Sequence, residues 1–147
     1  MYIFEMLNLG EGFKKYFEIV PALTPDLKDE VFRIRHDVYC EELHFEPVRP
    51  DKRERDEYDE HALHCLLRNV DTGEFAGCTR LVLTRPESPL DFLPFEKTCA
   101  NTLDRSIVDP QRMPRDRIGE VSRLAISARY RRRKGEERDL RGFSDDS

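Results

Sequence analysis

The apolar residues that follow position 24 recur at the spacing of an α-helix. Four of them share one stripe at this spacing: Leu27, Val31, Ile34 and Val38. Thr24 suits the N-cap position and Pro25 the first helical position. The pattern therefore predicts a helix from Thr24 to about Leu43, with Arg35 beside its buried stripe.

Three later segments alternate apolar and polar residues, which is typical of strands. They cover residues 62–69, 75–84 and 118–126. Asp71 and Gly73 supply turn residues between the first two segments, so these should form a hairpin. In the first segment one face carries Leu63, Cys65 and Leu67, and Gly77 in the second would tolerate a bulge.

The remaining segments give weaker patterns. Residues 11–19 fit a short helix or a strand, and residues 46–60 form a charged loop interrupted by two prolines. Residues 93–103 have room for one helix. The resulting order of helix, strand, strand, irregular or helical segment and strand predicts an α+β (mixed α/β) fold.

Composition narrows the class of protein. The chain has 147 residues, of which 38% are hydrophobic and 37% charged, and a net charge of −5, which argues against a nucleic-acid partner. No stretch is long and apolar enough for a membrane span, and no secretory signal is evident, so we expect a cytoplasmic protein. No CxxC pair occurs, so we expect no metal site and four reduced thiols, at Cys40, Cys65, Cys78 and Cys99.

Residues 129–147 are charged and nearly devoid of apolar side chains. We expect this segment to be a charged loop or tail. The whole chain, residues 1–147, is expected to be a single domain that is incomplete at its C-terminal end.

Charged residues interrupt several of the apolar elements. They are Arg35, Asp56, Asp59, Arg80, Glu120 and Arg123. Burying any one alone costs several kcal/mol, so they should pair with each other. The resulting network either fixes the acidic loop on the sheet or leaves one carboxylate available as a base. In a regular strand Glu120 and Arg123 would point to opposite faces.

Four segments, in order along the chain, resemble the acyl-homoserine-lactone synthases. They read IRHDVYCEELHF (34–45), DEYD (56–59), GCTRL (77–81) and GEVSRL (119–124). The chain is more similar still to the N-acyl amino acid synthases and to the acyltransferases associated with PEP-CTERM/exosortase systems. The resemblance implies an acetyltransferase-like (GNAT) fold whose central strand carries a bulge, here between Glu120 and Arg123.

The resemblance also implies an activity, the transfer of a fatty acyl group from a thioester to the amine of an amino-acid-like acceptor. Glu120 matches the proposed general base, with Asp59 or Asp56 as the second candidate. Arg35, Arg80 and Arg123 would bind these carboxylates or that of the acceptor. Phe45 is a further candidate substrate-binding residue. It stands where the lactone synthases usually have Trp, which weakens the case for S-adenosylmethionine as the acceptor.

The basic run in ARYRRRKGEE lies where such folds bind the acyl donor. Its candidate residues are Arg131, Arg132, Arg133, Lys134 and Gly135. They match the usual pyrophosphate-binding loop only in part, and a run of this charge suits an acidic acyl carrier protein. Carrier protein and coenzyme A both remain open as donors, and no permanently bound cofactor is expected. A solvated tail would explain the run equally well.

A different class of function also fits the sequence. A GNAT-like sheet that lacks its later strands would have an open edge. The chain would then be a non-catalytic half-domain that binds a partner, or forms a homodimer, through that edge.

Overall fold

The computed structural model describes residues 12–131, which form one antiparallel sheet with helices. The sheet order is β1-β2-β3-β4, and the strands are β1 (Phe17–Pro21), β2 (Ala62–Asn69), β3 (Phe75–Leu83) and β4 (Gly119–Ile126). The helices are α1 (Pro25–His36), α2 (Pro94–Thr98) and α3 (Ala128–Arg131). The predicted α+β class is confirmed.

Helix α1 begins where the sequence predicts. The Thr24 hydroxyl accepts a hydrogen bond from the Leu27 N–H at 3.3 Å and so caps the first turn. After His36 the chain continues as a π-helical turn, Asp37–Glu42, so the helical segment ends close to the predicted Leu43. Of the predicted stripe, Val31, Ile34 and Val38 are buried and Leu27 is half-buried.

Strands β2 and β3 form the predicted hairpin, but β2 packs on α1 with an unexpected face. Ala62, His64 and Leu66 are buried, whereas Leu63 is 55% exposed. Alternation fixes the period of a strand without saying which face is buried. Here the buried face includes His64. Burial of this polar side chain is possible because its Nε2 lies within hydrogen-bond distance, 3.1 Å, of the Asp59 carbonyl oxygen.

A bulge lies at the expected position near Gly77. Leu67 pairs with Gly77 and Arg68 with Phe75, so Ala76 is the extra residue. Gly77 is also required by the neighbouring strand, because a Cβ atom there would lie 2.6 Å from the Ala125 carbonyl oxygen. This close approach lets β4 lie tightly against β3.

Two apolar clusters fill the space under the sheet. The first lies between α1 and the strands and contains Ala22, Val31, Ile34, Val38, Leu66, Cys78 and Ala125. The second contains Ala62, Val82 and Leu93, with Tyr58, Phe95 and Ile118 packed against it. Along β3, Arg80 lies between Cys78 of the first cluster and Val82 of the second, so a charge lies between two apolar regions.

The sheet face away from α1 exposes large apolar side chains. They are Ile19, Leu63, Val121 and Leu124, between 55% and 72% exposed. We call this set the open face. Nothing between residues 12 and 131 buries these four side chains, although one side chain from each of β1 and β2 and two from β4 share the face.

The shorter elements complete the description. Residues 12–16 are helical and lead into β1. The segment for which the sequence fits either a short helix or a strand therefore contains both. Helix α2 is the one expected within residues 93–103. All four cysteines are free thiols, and burial raises the pKa of Cys78 to about 12. In the described part of the chain no helix is long and apolar enough to cross a membrane.

Candidate active site

The implied bulge is present in β4 at Arg123. Cys78 pairs with Ala125 but Arg80 pairs with Ser122, so β4 has one more residue than β3 over this interval. Arg123 has φ +53°, a left-handed conformation that non-glycine residues rarely adopt. The extra residue resets the alternation, so that Glu120 and Arg123 both lie on the α1 side while Val121 and Leu124 lie on the open face.

Arg35 is the fully buried centre of an ion-pair network. Its Nε donates to Glu54 Oε2 at 2.5 Å, and its two terminal nitrogens donate to the two Asp59 oxygens at 2.7 and 3.1 Å. Burial disfavours the charged guanidinium, but the hydrogen bonds and charges of Asp59 and Glu54 outweigh burial and raise the Arg35 pKa. Arg35 is therefore a permanent cation inside the fold.

Arg80 enters the same network from β3. Its Nη1 donates to Asp56 Oδ1 at 2.6 Å and to Asp59 Oδ1 at 2.9 Å, and its Nε donates to the Ser122 hydroxyl at 3.0 Å. Burial lowers the Arg80 pKa, and the hydrogen bonds to Asp56 and Asp59 raise it by more. The loop that carries both aspartates is thereby bound to the middle of the sheet.

The bulge brings the third arginine into this network. Arg123 Nη2 lies 3.2 Å from Asp56 Oδ2 and 3.7 Å from Glu54 Oε1. Its guanidinium lies over the Tyr39 ring at 5.8 Å, and the Tyr39 hydroxyl donates to the Leu124 carbonyl at 2.5 Å. Tyr39 therefore contacts both residues of the bulge.

Asp59 is the carboxylate that most partners share. Besides the two arginines, it accepts the Asp56 N–H at 2.6 Å, which closes a tight loop. Burial raises the Asp59 pKa, but the hydrogen bonds and charges of its partners, above all Arg35, lower it by more. The Asp59 pKa therefore lies below its ordinary value. Asp59 is thus held as an anion.

Sequence reasoning missed Glu54, which is almost fully buried and pairs with Arg35 and Arg123. Its N–H donates to the Phe32 carbonyl at 3.1 Å, which fixes the loop on α1. No spacing singles it out, because it is one of many acids and bases in residues 46–60. The buried part of the network consists of three arginines and three carboxylates, in which Glu54 takes the place predicted for Glu120. At its edge, the partly exposed Arg49 lies 4.0 Å from Glu54 Oε1.

Glu120 lies beside this network and has a different partner. Its Oε2 accepts the Phe95 N–H at 2.8 Å, and the side chain is half-buried. Within residues 12–131 it forms no ion pair, so the prediction that Glu120 pairs with the other charged residues is wrong, and Arg123 pairs with Glu54 and Asp56 instead. Glu120 pairs in register with Val82, which lines a cleft of about 270 Å³ together with Tyr58, Phe92 and Leu93.

Two other predicted site residues lie apart from this network. Phe45 is 71% exposed, and its N–H donates to the Tyr39 carbonyl at 2.8 Å. Arg131, at the end of α3, forms an ion pair with Glu42. The rest of the basic run, Arg132 to Gly135, lies outside the described residues. The roles given to all of these residues stay predictions.

The chain is similar to known proteins in sequence and in structure. Residues 34–139 match the acetyltransferase (GNAT) domain family. The chain is 49% identical over 46 residues to the isovaleryl-homoserine lactone synthase of Bradyrhizobium diazoefficiens, which is 31% of this chain and 21% of that protein.

Two solved structures are also similar. TofI, in a ternary complex with an inhibitor and MTA, aligns at a TM-score of 0.52 and 25% identity over 76% of this chain and 56% of TofI. BjaI, a CoA-dependent acyl-homoserine lactone synthase with SAM and isopentyl-CoA, aligns at 0.46 and 28% over 79% of this chain and 53% of BjaI. The chain thus spans about half of each solved relative.

The match over residues 34–139 covers more than half of the sequence and includes every member of the ion-pair network. The chain belongs to the GNAT acetyltransferase domain family. The similarity to acyl-homoserine lactone synthases confirms the resemblance that the four sequence motifs indicate.

Proposed function

We propose that the protein is an N-acyltransferase that moves an acyl group from a thioester to the amine of an amino-acid-like acceptor. Glu120 removes a proton from the acceptor ammonium, because only the free amine is a nucleophile. The amine then attacks the thioester carbonyl. A C–N bond forms, the C–S bond breaks, and the leaving thiolate takes up the second proton that the nitrogen loses as it becomes an amide.

The observation that carries this proposal is the bulge at Arg123, which puts Glu120 and the ion-pair network on one face of β4. Asp59 has both oxygens occupied by arginines and an N–H, and Asp56 has both occupied by Arg80, Arg123 and the Tyr58 N–H. Glu120 has one oxygen bound to the Phe95 N–H, and the other accepts no hydrogen bond from residues 12–131. It is therefore the best placed of the three candidates to accept a proton.

The arginine network then has a supporting role. Three guanidinium groups and three carboxylates balance within a mostly buried region. This arrangement fixes the 54–59 loop beside β4 and keeps the neighbourhood of Glu120 rigid. Arg123, which is about one third exposed, is the arginine best placed to reach the carboxylate of an acceptor.

The test is a direct assay. The purified chain is incubated with isovaleryl-CoA, or with an acyl carrier protein thioester, and a mixture of amino acids, and N-acyl products are sought by mass spectrometry. We expect product with at least one donor, and about a 100-fold or greater loss of kcat in Glu120→Gln. Isovaleryl is the first acyl group to try because the lactone synthase relative is named for it.

Glu18→Gln is the matched control. Glu18 is an exposed strand glutamate on β1 that pairs with Arg68, far along the sheet from β4. This control should leave kcat unchanged. Full activity in Glu120→Gln would remove Glu120 from the mechanism, and absence of product with every donor would contradict the proposed activity.

A second candidate function follows from the open face. Four large apolar side chains exposed on one sheet surface are typical of a surface that another molecule covers. We propose self-association through this face as the alternative to catalysis by the single chain. Sedimentation velocity should then show a dimer that increases with concentration and is lost in Val121→Lys, whereas Arg105→Glu, on an exposed loop, should have no effect. A monomer at all concentrations would reject it.

A further inference from the structure

The long segment between β3 and β4 is organised by one buried guanidinium. Arg115 is 7% exposed and donates to three carbonyl oxygens, those of Pro89 at 2.8 Å and of Asp91 and Pro110 at 2.9 Å. A residue that binds two separate stretches of backbone, at residues 89–91 and at Pro110, fixes their relative positions. Sequence reasoning missed Arg115, and the ion-pair network does not include it.

The fourth partner of Arg115 is the fully buried Glu96 on α2. Arg115 binds both Glu96 oxygens, at 3.1 and 2.9 Å, and the Gln111 amide and the Leu93 N–H add bonds of 2.7 and 2.8 Å. Burial raises the Glu96 pKa, but these hydrogen bonds, led by that of Arg115, lower it by more. Glu96 is therefore an anion with every lone-pair direction in use, and the first turn of α2 is held tightly.

That turn carries the hydrogen-bond donor that holds Glu120. The Phe95 N–H, one residue before Glu96, donates to Glu120 Oε2 at 2.8 Å. We call the Arg115–Glu96 pair the clamp. Arg115 is also close to Glu120 in sequence, because β4 begins at Gly119. The clamp thus fixes both the donor of this hydrogen bond and the start of the strand that carries the acceptor.

We propose that the Arg115–Glu96 pair is a positioning device for the Glu120 carboxylate. The inference rests on the proposed function, in which Glu120 is the general base. Neither residue shares a hydrogen bond or an ion pair with the Glu120 side chain, so the pair acts through the Phe95 N–H. With that N–H fixed, Oε2 is held and Oε1 points in a defined direction for proton transfer. Small displacements of a catalytic group cost large factors in rate.

The test is a double-mutant cycle on kcat. Arg115→Lys keeps the charge but loses the planar fork that reaches Glu96 and three carbonyls. We expect it to lower kcat about 10-fold in the wild-type background, with KM for either substrate changed less than about twofold. In the Glu120→Gln background we expect less than a twofold further loss, because the group that Arg115 positions is already absent. Arg105→Lys, from an exposed ion pair in the same segment, is the matched control and should have no effect.

The outcomes separate this inference from the proposed function. Equal losses in both backgrounds would mean that Arg115 acts independently of Glu120, and the positioning role would be overturned while the general base remained. An unchanged kcat in Glu120→Gln would instead remove the general base. A purely structural role predicts that Arg115→Lys lowers kcat only in proportion to the loss of folded protein, which circular dichroism measures, and equally in both backgrounds.

Amide hydrogen exchange tests the linkage without any assay of activity. In Arg115→Lys the Phe95 N–H should lose at least about tenfold of its protection, while the Leu66 N–H in the sheet keeps its own. Glu96→Gln provides the same comparison if Arg115→Lys fails to fold, since glutamine still accepts from the Leu93 N–H. Unchanged protection at Phe95 in a folded variant would overturn the inference.

Discussion

At the scale of single residues, the most informative feature is the burial of charge in balanced pairs. Arg35 has no exposed surface, yet each of its three nitrogens donates to a carboxylate. Neutralising one member leaves the others desolvated without a partner, which costs more than the pair contributes when it is intact.

Asp59→Asn tests the strength of this coupling. The amide group cannot balance Arg35 and Arg80, so we expect a loss of about 3–5 kcal/mol in the free energy of unfolding. Urea denaturation measures this loss. The matched control is Asp29→Asn, because Asp29 forms a similar two-pronged pair with Arg53 at 2.8 Å on the surface. Solvent screens that pair, so stability should hardly change, and equal losses in both variants would contradict a stabilising network.

The sequence predicts most members of the network but not all of them. Five of its six members stood out because they interrupt apolar patterns or match family motifs. Glu54 did not, because its burial depends on a backbone hydrogen bond to Phe32 that has no signature along the chain. The Arg115–Glu96 pair was missed for a similar reason, because a contact across 19 residues leaves no periodicity.

At the scale of elements, the bulge in β4 decides which side chains meet. Arg123 adopts φ +53° so that the strand can contain one extra residue. The sequence indicates a strand over residues 118–126, but its apolar and charged positions do not show where a bulge lies. The bulge was expected only from the resemblance to a family.

Two substitutions at position 123 separate the backbone from the side chain. Arg123→Val and Arg123→Asn both remove the guanidinium, but asparagine tolerates the left-handed conformation and a β-branched residue does not. We expect Arg123→Val to be less stable than Arg123→Asn by about 1–2 kcal/mol in urea denaturation. Equal stabilities would show that position 123 is not held at positive φ in solution.

The contact between β3 and β4 gives a second prediction at this scale. Gly77→Ala places a Cβ atom 2.6 Å from the Ala125 carbonyl oxygen, so the strands must separate. We expect a destabilisation of about 1–3 kcal/mol by thermal or urea unfolding. Gly12→Ala is the control, because nothing lies within 4 Å of the added atom there. A similar change in both variants would mean that the two strands are not closely packed.

At the scale of the whole molecule, stability should depend on pH through a buried histidine. The buried side chain of His64 lies on the face of β2 that packs against α1, and its surroundings include Asp59, Arg35 and Arg80. Burial lowers the His64 pKa below its ordinary value of 6.5, and the two arginines reinforce this effect against the opposing pull of Asp59. The folded protein therefore takes up this proton at a lower pH than the unfolded chain.

The sign of the effect follows from proton binding. As the pH falls below about 6.5, the unfolded chain binds a proton at position 64 that the folded protein does not, so the free energy of unfolding decreases. The slope is at most about 1.4 kcal/mol per pH unit. His64→Gln should flatten this slope between pH 7 and 5, measured by urea denaturation, whereas His44→Gln, at an exposed position, should not. An unchanged slope in His64→Gln would rule out a contribution from this residue.

The single extra residue at the β4 bulge has a consequence for sequence change. Beyond position 123 the strand follows the opposite parity from the one with which it begins, so that Ala125 faces the core and Leu124 faces outward. Deleting one residue from this strand would therefore exchange inside for outside over the rest of its length. Insertions and deletions here should be far less tolerated than substitutions, because the strand's polarity pattern is correct only for one exact count of residues.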